Sequence, residues 1–162
     1  MAATYADWLL WLEKSAWAKG IRQTDWVYPA LEIGHIAGIV LLAGAAFLFD
    51  LRLLGFSKNL PVTELARHLL PWSRRGLLLI IPTGLLLFIT NAVALGQDPV
   101  FWLKMGLLAA AGLNAGIFHR FTLPTAPAWN TNYFSPASAR ITAIASIVLW
   151  LAVISCGRLL AY

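Results

Sequence analysis

Four long apolar runs constrain this sequence more than any other feature. A helix needs about 20 mostly apolar residues to cross the hydrocarbon core of a bilayer. Four stretches of the chain have that length and composition: 26–49, 76–95, 100–121 and 137–160. The sequence therefore predicts an all-α fold, a four-transmembrane-helix bundle, in which residues 1–162 form a single integral membrane domain.

The composition also indicates a lipid environment. Charged residues make up 12% of the chain, whereas a soluble domain has roughly 25%. The net charge is +5, but the basic residues stand between the apolar runs. That pattern indicates membrane topology and anionic lipid headgroups, not nucleic acid. The single cysteine, Cys156, excludes an internal disulfide, and no basic region precedes the first apolar residues, so we expect no cleavable signal peptide.

Two further segments have the pattern of amphipathic helices. Residues 1–24 place Trp8, Trp11 and Leu12 on one face, and a Trp-rich face predicts an N-terminal helix that lies in the membrane interface. The stretch "PVTELARHLLPWSRRG", which begins at Pro61, predicts a cytoplasmic amphipathic extension of the second span, bent at Pro71. The stretch "TLPTAPAWNTNYFSP" has the composition of an irregular loop.

The distribution of Lys and Arg predicts the orientation. With four spans, the side that carries both termini holds five basic residues: Lys14, Lys19, Arg22, Lys104 and Arg158. The opposite side holds seven: Arg52, Lys58, Arg67, Arg74, Arg75, Arg120 and Arg140. Because basic residues favour the cytoplasmic side, we expect a multi-pass protein of the bacterial cytoplasmic membrane with both termini periplasmic.

Polar residues inside the spans fall into two layers when they are sorted by depth along the helices. The predicted outer layer holds five of them: Glu32, His35, Asn91, Met105 and Cys156. Towards the cytoplasm, His68 and His119 lie at a similar level, and Asp50 and Arg52 are expected to form a local charge pair at a helix end. Asn114 adds a polar group to the third span. Ionisable groups in a membrane are costly and usually face the bundle interior, so these residues are candidates for function.

The residue types indicate several chemistries. Glu32 and His35 form a Glu-x-x-His pair on one helix face, and with Met105 and Cys156 they offer ligands suited to copper. Alternatively, His68 and His119, or His35 with Met105, could hold a haem b. A third interpretation needs no metal, because the Glu32 and His35 pair could bind protons, a quinone headgroup or a transported solute. No hydrolase or nucleotide-binding motif is present, so we expect metal or redox handling by a binding or electron-transfer protein more than by an enzyme.

Small residues four apart occur in two spans. Gly34 and Gly38 form such a pair in the first span, and Gly112 and Gly116 form one in the third. Pairs of this kind allow helix backbones to approach closely. With the Trp-rich start, they favour a second hypothesis: an accessory or structural subunit that contacts a membrane or periplasmic protein, or a second copy of itself.

Several segments of the sequence carry a resemblance to known proteins. The stretches "YPALEIGHIAG", "FDLRLLG", "LARHLLPWSRRGLLLIIPTGLLLF", "FWLKMGLLAAAGLN" and "CGRLLAY" resemble an uncharacterised family of small four-span bacterial inner-membrane proteins. The resemblance covers nearly the whole chain and implies a helical membrane protein without implying an activity. In architecture and histidine placement, the chain is also similar to copper-resistance protein D and to small b-type cytochromes.

Overall fold

The computed structural model describes residues 2–130 and 135–160, so residues 131–134 of the predicted loop lie outside the described part. Within these ranges the chain is helical and has no strand. Seven α-helices follow one another: α1 (Ala2–Glu13), α2 (Ala16–Gln23), α3 (Val27–Leu53), α4 (Val62–Thr90), α5 (Ala92–Gln97), α6 (Pro99–Ile117) and α7 (Ala137–Leu159). A π-helical turn (Phe118–Thr122) and a 3-10 helix (Leu123–Ala128) continue α6.

Four of these helices are long and apolar enough to cross a membrane: Val27–Leu53, Val62–Thr90, Pro99–Ala128 and Ala137–Leu159. This confirms the all-α prediction and the four spans. The second span is a single helix from Val62 that runs through Pro71 and includes the predicted extension. It ends at Asn91, earlier than predicted, because the chain breaks there and resumes as the short helix α5.

The four spans pack in the order α4, α3, α7 and α6. The tightest approach is between α3 and α4, where a Cβ atom placed on Gly76 would lie 2.7 Å from the Gly38 carbonyl oxygen. The predicted close-packing role of Gly38 therefore has a partner in α4. Gly112 and Gly116 differ, since a Cβ on either would meet nothing within 4 Å and both face outward in this chain.

We call the end of the bundle where α3 begins the outer end and the opposite end the inner end, after the predicted orientation. The inner half contains the main apolar cluster, in which the Phe49 and Phe118 rings meet edge to face at 5.5 Å. Leu53, Val62 and Trp129 are buried in the same cluster. This packing holds α3, α4 and α7 against the chain that follows α6.

The N-terminal segment forms two helices rather than one, with Ser15 capping the second by accepting a hydrogen bond from the Ala18 N–H. Both helices pack at the outer end. The Glu13 carboxylate accepts the Val93 N–H at 2.9 Å, and Arg22 donates to the Thr90 carbonyl at 2.8 Å. Large aromatic side chains remain exposed along this segment: Trp8, Trp11, Trp17 and Trp26. Such a row of tryptophans is typical of a membrane–water interface.

Candidate functional site

His35 is the centre of a polar cluster in the outer half. Its ring nitrogen Nδ1 lies 2.9 Å from the Thr83 hydroxyl on α4. Gly84 leaves room for the ring, because a Cβ at that position would lie 3.0 Å from the His35 ring. The ring is thus half-buried between α3 and α4 and held by one side-chain hydrogen bond.

Lys104, on α6, is the second member of the cluster. Its ammonium group is within range of charge interaction with the His35 ring and with the Cys156 thiol. The Nζ atom also lies 3.7 Å from the position that a Cβ on Gly157 would occupy. Lys104 on α6 is half-buried, and Cys156 on α7 is buried. With His35 on α3 and Thr83 on α4, they form a polar layer to which all four spans contribute. We call His35, Thr83, Lys104 and Cys156 the outer polar cluster.

Two of the spans, α4 and α6, do not approach each other closely through their backbones. No Cα atom of α4 comes within 8 Å of α6 in the described chain. The two spans are linked at the outer end by α5 and by the Phe88 and Phe101 rings, which stack at 5.2 Å, and at the inner end by the 3-10 helix. We call this side of the bundle the α4–α6 side, and these two spans are the least buried of the four.

The Lys104 ammonium group has no carboxylate partner in the described part of the chain. Among the described residues, no Asp or Glu forms an ion pair with Lys104. Glu32, one turn from His35 along α3, is exposed on the surface of the bundle. An ammonium group donates up to three hydrogen bonds, so it suits a ligand with oxygen acceptors.

The structure brings together only part of the predicted outer layer. His35 and Cys156 are both within range of charge interaction with Lys104. Met105 is half-buried on α6, but it follows Lys104 directly and is turned by about 100° around the helix. Glu32 and Asn91 are exposed. In the described ranges, no group of three or more His, Cys, Asp or Glu side chains is arranged to hold a metal ion.

The two inner histidines are also far from forming a ligand pair. His68 is exposed on α4. His119 is exposed on the π-helical turn, and its Nδ1 lies 2.8 Å from the Ala115 carbonyl oxygen of its own helix. In the described chain, the π-helical turn contacts α6, α7 and the 3-10 helix but not α4.

The predicted charge pair between Asp50 and Arg52 is not formed, although both residues are described and buried. They point to different partners because neighbours two apart on a helix do not face each other. Asp50 lies close to the Ser146 side chain of α7. Arg52 donates to three carbonyl oxygens: Leu60 at 2.6 Å, Lys58 at 3.3 Å and Asn130 at 3.4 Å. Within the described part, Asp50 Oδ2 and Arg52 Nη1 have no hydrogen-bond partner.

The two predicted polar asparagines have separate structural places. Asn114 on α6 donates to the Thr142 carbonyl of α7 at 3.0 Å and ties these two spans together. Asn91 lies at the break between α4 and α5, where its amide is 3.5 Å from the Thr90 hydroxyl. Neither side chain reaches the outer polar cluster by a hydrogen bond in the described chain.

Sequence reasoning missed three residues that organise these sites. Lys104 was counted only as a basic residue on the side of the termini, although it stands five residues after Pro99, which starts α6. Counting 1.5 Å per residue from that start would have placed it about 7 Å inside the helix. Thr83 carried no signal beyond its place in the second span. Asn130 lies in the predicted loop, and its side-chain oxygen accepts the Thr63 N–H at 2.9 Å, which caps α4.

The fold and the site together define a multi-pass helical membrane protein with a polar cluster inside its bundle. Residues 9–162 match a family of unknown function, DUF6644, so the chain belongs to that family. The match confirms the resemblance to an uncharacterised family. No curated protein and no solved structure matches the chain.

Proposed function

We propose that this protein binds a membrane-soluble ligand of the quinone type at the outer polar cluster and takes part in redox handling as a binding partner. The observation that carries the proposal is Lys104, a charged side chain inside a span with no carboxylate partner among the described residues. Charged groups inside a membrane are costly and mark functional sites by default. A ligand oxygen would supply the missing acceptor.

The surroundings of Lys104 favour a quinone among ligands with oxygen acceptors. His35, whose Nδ1 contacts the Thr83 hydroxyl, adds a polar ring on the side of α3 and α4. The stacked rings of Phe88 and Phe101 lie one helical turn further out and suit a flat ring. The α4–α6 side, where these spans make no close backbone contact in the described chain, faces the region that lipid would occupy, and we propose that a lipophilic molecule enters there.

The copper hypothesis and the haem hypothesis that uses His35 with Met105 both require a metal cation at His35. A cation bound at His35 would be repelled by the Lys104 ammonium group nearby. The predicted copper ligands Glu32 and Met105 would also have to turn towards His35. The same purified sample decides between the proposals, because haem gives a Soret band and copper remains after loading and washing.

A binding titration of the full chain in lipid nanodiscs tests the proposal. Decylubiquinone is the probe, and quenching of tryptophan fluorescence is the readout. We expect saturable binding that weakens at least tenfold, or by about 1.4 kcal/mol, in Lys104→Met and in His35→Leu. The control is Lys19→Met, which removes an exposed lysine on α2 and should leave Kd unchanged.

Three results would overturn the proposal. One is the absence of saturable decylubiquinone binding by the unaltered chain. Another is equal binding by Lys104→Met and Lys19→Met. The third is a Soret band or retained copper that disappears in His35→Leu. A parallel titration with dodecanoate separates ligand classes, since tight binding of this carboxylate without decylubiquinone binding would replace the quinone by an acid.

We also infer that the protein lies in a bacterial cytoplasmic membrane with both termini outside the cytoplasm. The support for this orientation is the sequence count of seven Lys and Arg residues on the inner side against five on the outer side, because basic residues favour the cytoplasmic side. Fusions of alkaline phosphatase and of green fluorescent protein to the C-terminus test this. Phosphatase activity without fluorescence is expected, and the reverse pattern would overturn the orientation.

A further inference from the structure

A second feature, separate from the outer polar cluster, is a groove at the inner end of the bundle. It runs between the first turns of α4 and the 3-10 helix and has a volume of about 480 Å³. Its apolar lining includes Leu70 from α4 and Leu123, Pro124 and Pro127 from the 3-10 helix, and Arg67 and Arg74 stand at its sides. We call it the arginine groove.

The walls of the arginine groove are held firmly. The Asn130 side-chain oxygen accepts hydrogen bonds from the Thr63 N–H at 2.9 Å and from the Thr63 hydroxyl at 3.1 Å. The Val62 N–H also donates to the Asn130 carbonyl at 3.3 Å. Leu70 and Leu123 pack against the main apolar cluster. The shape of the groove therefore follows from the fold of the inner half.

Both arginines are exposed and available to a ligand. They are seven residues apart on α4, so their side chains leave the same helix face about 10 Å apart along the axis. Glu64 is near in sequence, but neither arginine forms an ion pair with a carboxylate in the described chain. Two guanidinium groups without a carboxylate partner in the described chain suit the anionic headgroup of a phospholipid. The apolar trough beside them suits its acyl chain.

The position along α4 favours a lipid over a soluble anion. The apolar part of α4 continues directly after Arg75 with Leu77 and Leu78, both exposed. The arginines thus stand at the level where the hydrocarbon region of a bilayer gives way to headgroups. Arg75 itself lies over the Trp72 ring at 4.7 Å, an arrangement typical of the interface.

We propose that the arginine groove binds one anionic phospholipid. Arg67 and Arg74 contact its phosphate, and an acyl chain lies along Leu70, Leu123 and Pro124. Basic pockets between transmembrane helices on the cytoplasmic side are known to select such lipids. This site is distinct from the outer polar cluster and does not depend on the ligand proposed there.

Native mass spectrometry of the detergent-solubilised full chain tests the proposal. The protein is titrated with phosphatidylglycerol and, in parallel, with phosphatidylcholine. We expect one phosphatidylglycerol bound in preference to phosphatidylcholine. Each of Arg67→Gln and Arg74→Gln should weaken that preference about fivefold, and the double variant about 25-fold. Arg140→Gln, an exposed arginine outside the groove, should leave it unchanged.

The design separates loss of the site from loss of the fold. Arg67→Lys with Arg74→Lys keeps both charges and should keep most of the preference. Equal binding of the two lipids by the unaltered chain would overturn the proposal, and this arm needs no variant. Full competition by millimolar glycerol 3-phosphate would also overturn it, because the groove would then recognise a soluble phosphate. The proposal would also be overturned if the double Gln variant preferred phosphatidylglycerol as strongly as Arg140→Gln does.

Discussion

The inner and outer halves of this bundle both bury polar side chains, but they treat them differently. In the inner half, Arg52 is 1% exposed and donates to three carbonyl oxygens of the chain that follows α3 and α6. In the outer half, Lys104 has a histidine and a thiol beside it and no described carboxylate or carbonyl that it binds. Arg52 stabilises the fold through these hydrogen bonds, whereas Lys104 remains available to the ligand that we propose.

This difference follows from how polar groups behave away from water. A buried donor costs free energy unless its hydrogen bonds are satisfied. Arg52 meets most of that cost with backbone oxygens and thereby orders the loop between α3 and α4. Lys104 does not, so it should destabilise the empty protein. The comparison therefore predicts opposite effects on stability when the two charges are removed.

The largest effect is expected at the inner half. Arg52→Met removes the charged donor of the Leu60, Lys58 and Asn130 carbonyls, and hydrogen bonds to a charged group are worth about 1.5–3 kcal/mol each. We expect the free energy of unfolding to fall by more than about 3 kcal/mol, measured by denaturant titration in detergent micelles. Arg140→Met is the matched control on an exposed arginine. Equal stability of the two variants would mean that the hydrogen bonds of Arg52 do not stabilise the fold.

The next largest loss of stability is expected at the close contact between α3 and α4. Gly76→Ala places a methyl group 2.7 Å from the Gly38 carbonyl and the Leu42 nitrogen, so α3 and α4 must separate. Overpacking of this kind costs about 1–3 kcal/mol, visible as a lower melting temperature in detergent. Gly112→Ala, where a methyl group meets nothing, should be neutral or slightly stabilising. If both variants lose the same stability, the close approach is absent in the folded protein.

The outer half should respond in the opposite direction. Lys104→Met removes an uncompensated charge from the bundle, so the empty protein should gain about 1 kcal/mol of stability. The measurement is the same denaturant titration without added quinone, with Lys19→Met as the control. A loss of stability in Lys104→Met would show that this lysine, like Arg52, serves the fold.

The smallest effect tests the hydrogen bond that holds His35. Thr83→Val removes the hydroxyl that contacts the ring, and it also removes bonds to the carbonyls of its own helix. Thr142→Val removes similar intrahelical bonds on α7 without a histidine partner. We expect Thr83→Val to be less stable than Thr142→Val by about 0.5–1 kcal/mol. Indistinguishable melting curves for the two variants would argue against a bond between Thr83 and His35.

Much of the fold could be predicted from the sequence because each span is set by a local property. Apolar runs of sufficient length predicted the four helices, and the predicted start of the third span at residue 100 lies one residue after Pro99, where α6 begins. The break at Asn91 was missed, since the apolar run continues through it. The tie between Glu13 and Val93 was also missed, because it joins residues 80 positions apart.

The candidate site was predicted only in part. Depth along the helices predicted His35 and Cys156 in one layer, because depth depends on residue number alone. It could not tell which side of each helix faces inward, so Glu32 was grouped with His35 although it is exposed. Lys104 was left out because it was counted only for the orientation of the protein.

The sequence by itself determined that this chain is an all-α membrane protein with four spans and polar residues at two depths. Length and hydropathy suffice for that, since the bilayer sets the length of each helix. The tertiary structure decided which of those polar residues meet. Only the order α4, α3, α7, α6 and the rotation of each helix about its axis bring Lys104 within range of charge interaction with His35 and leave Glu32 at the surface. Those choices depend on contacts between distant residues, such as Gly38 with Gly76, that no local pattern encodes.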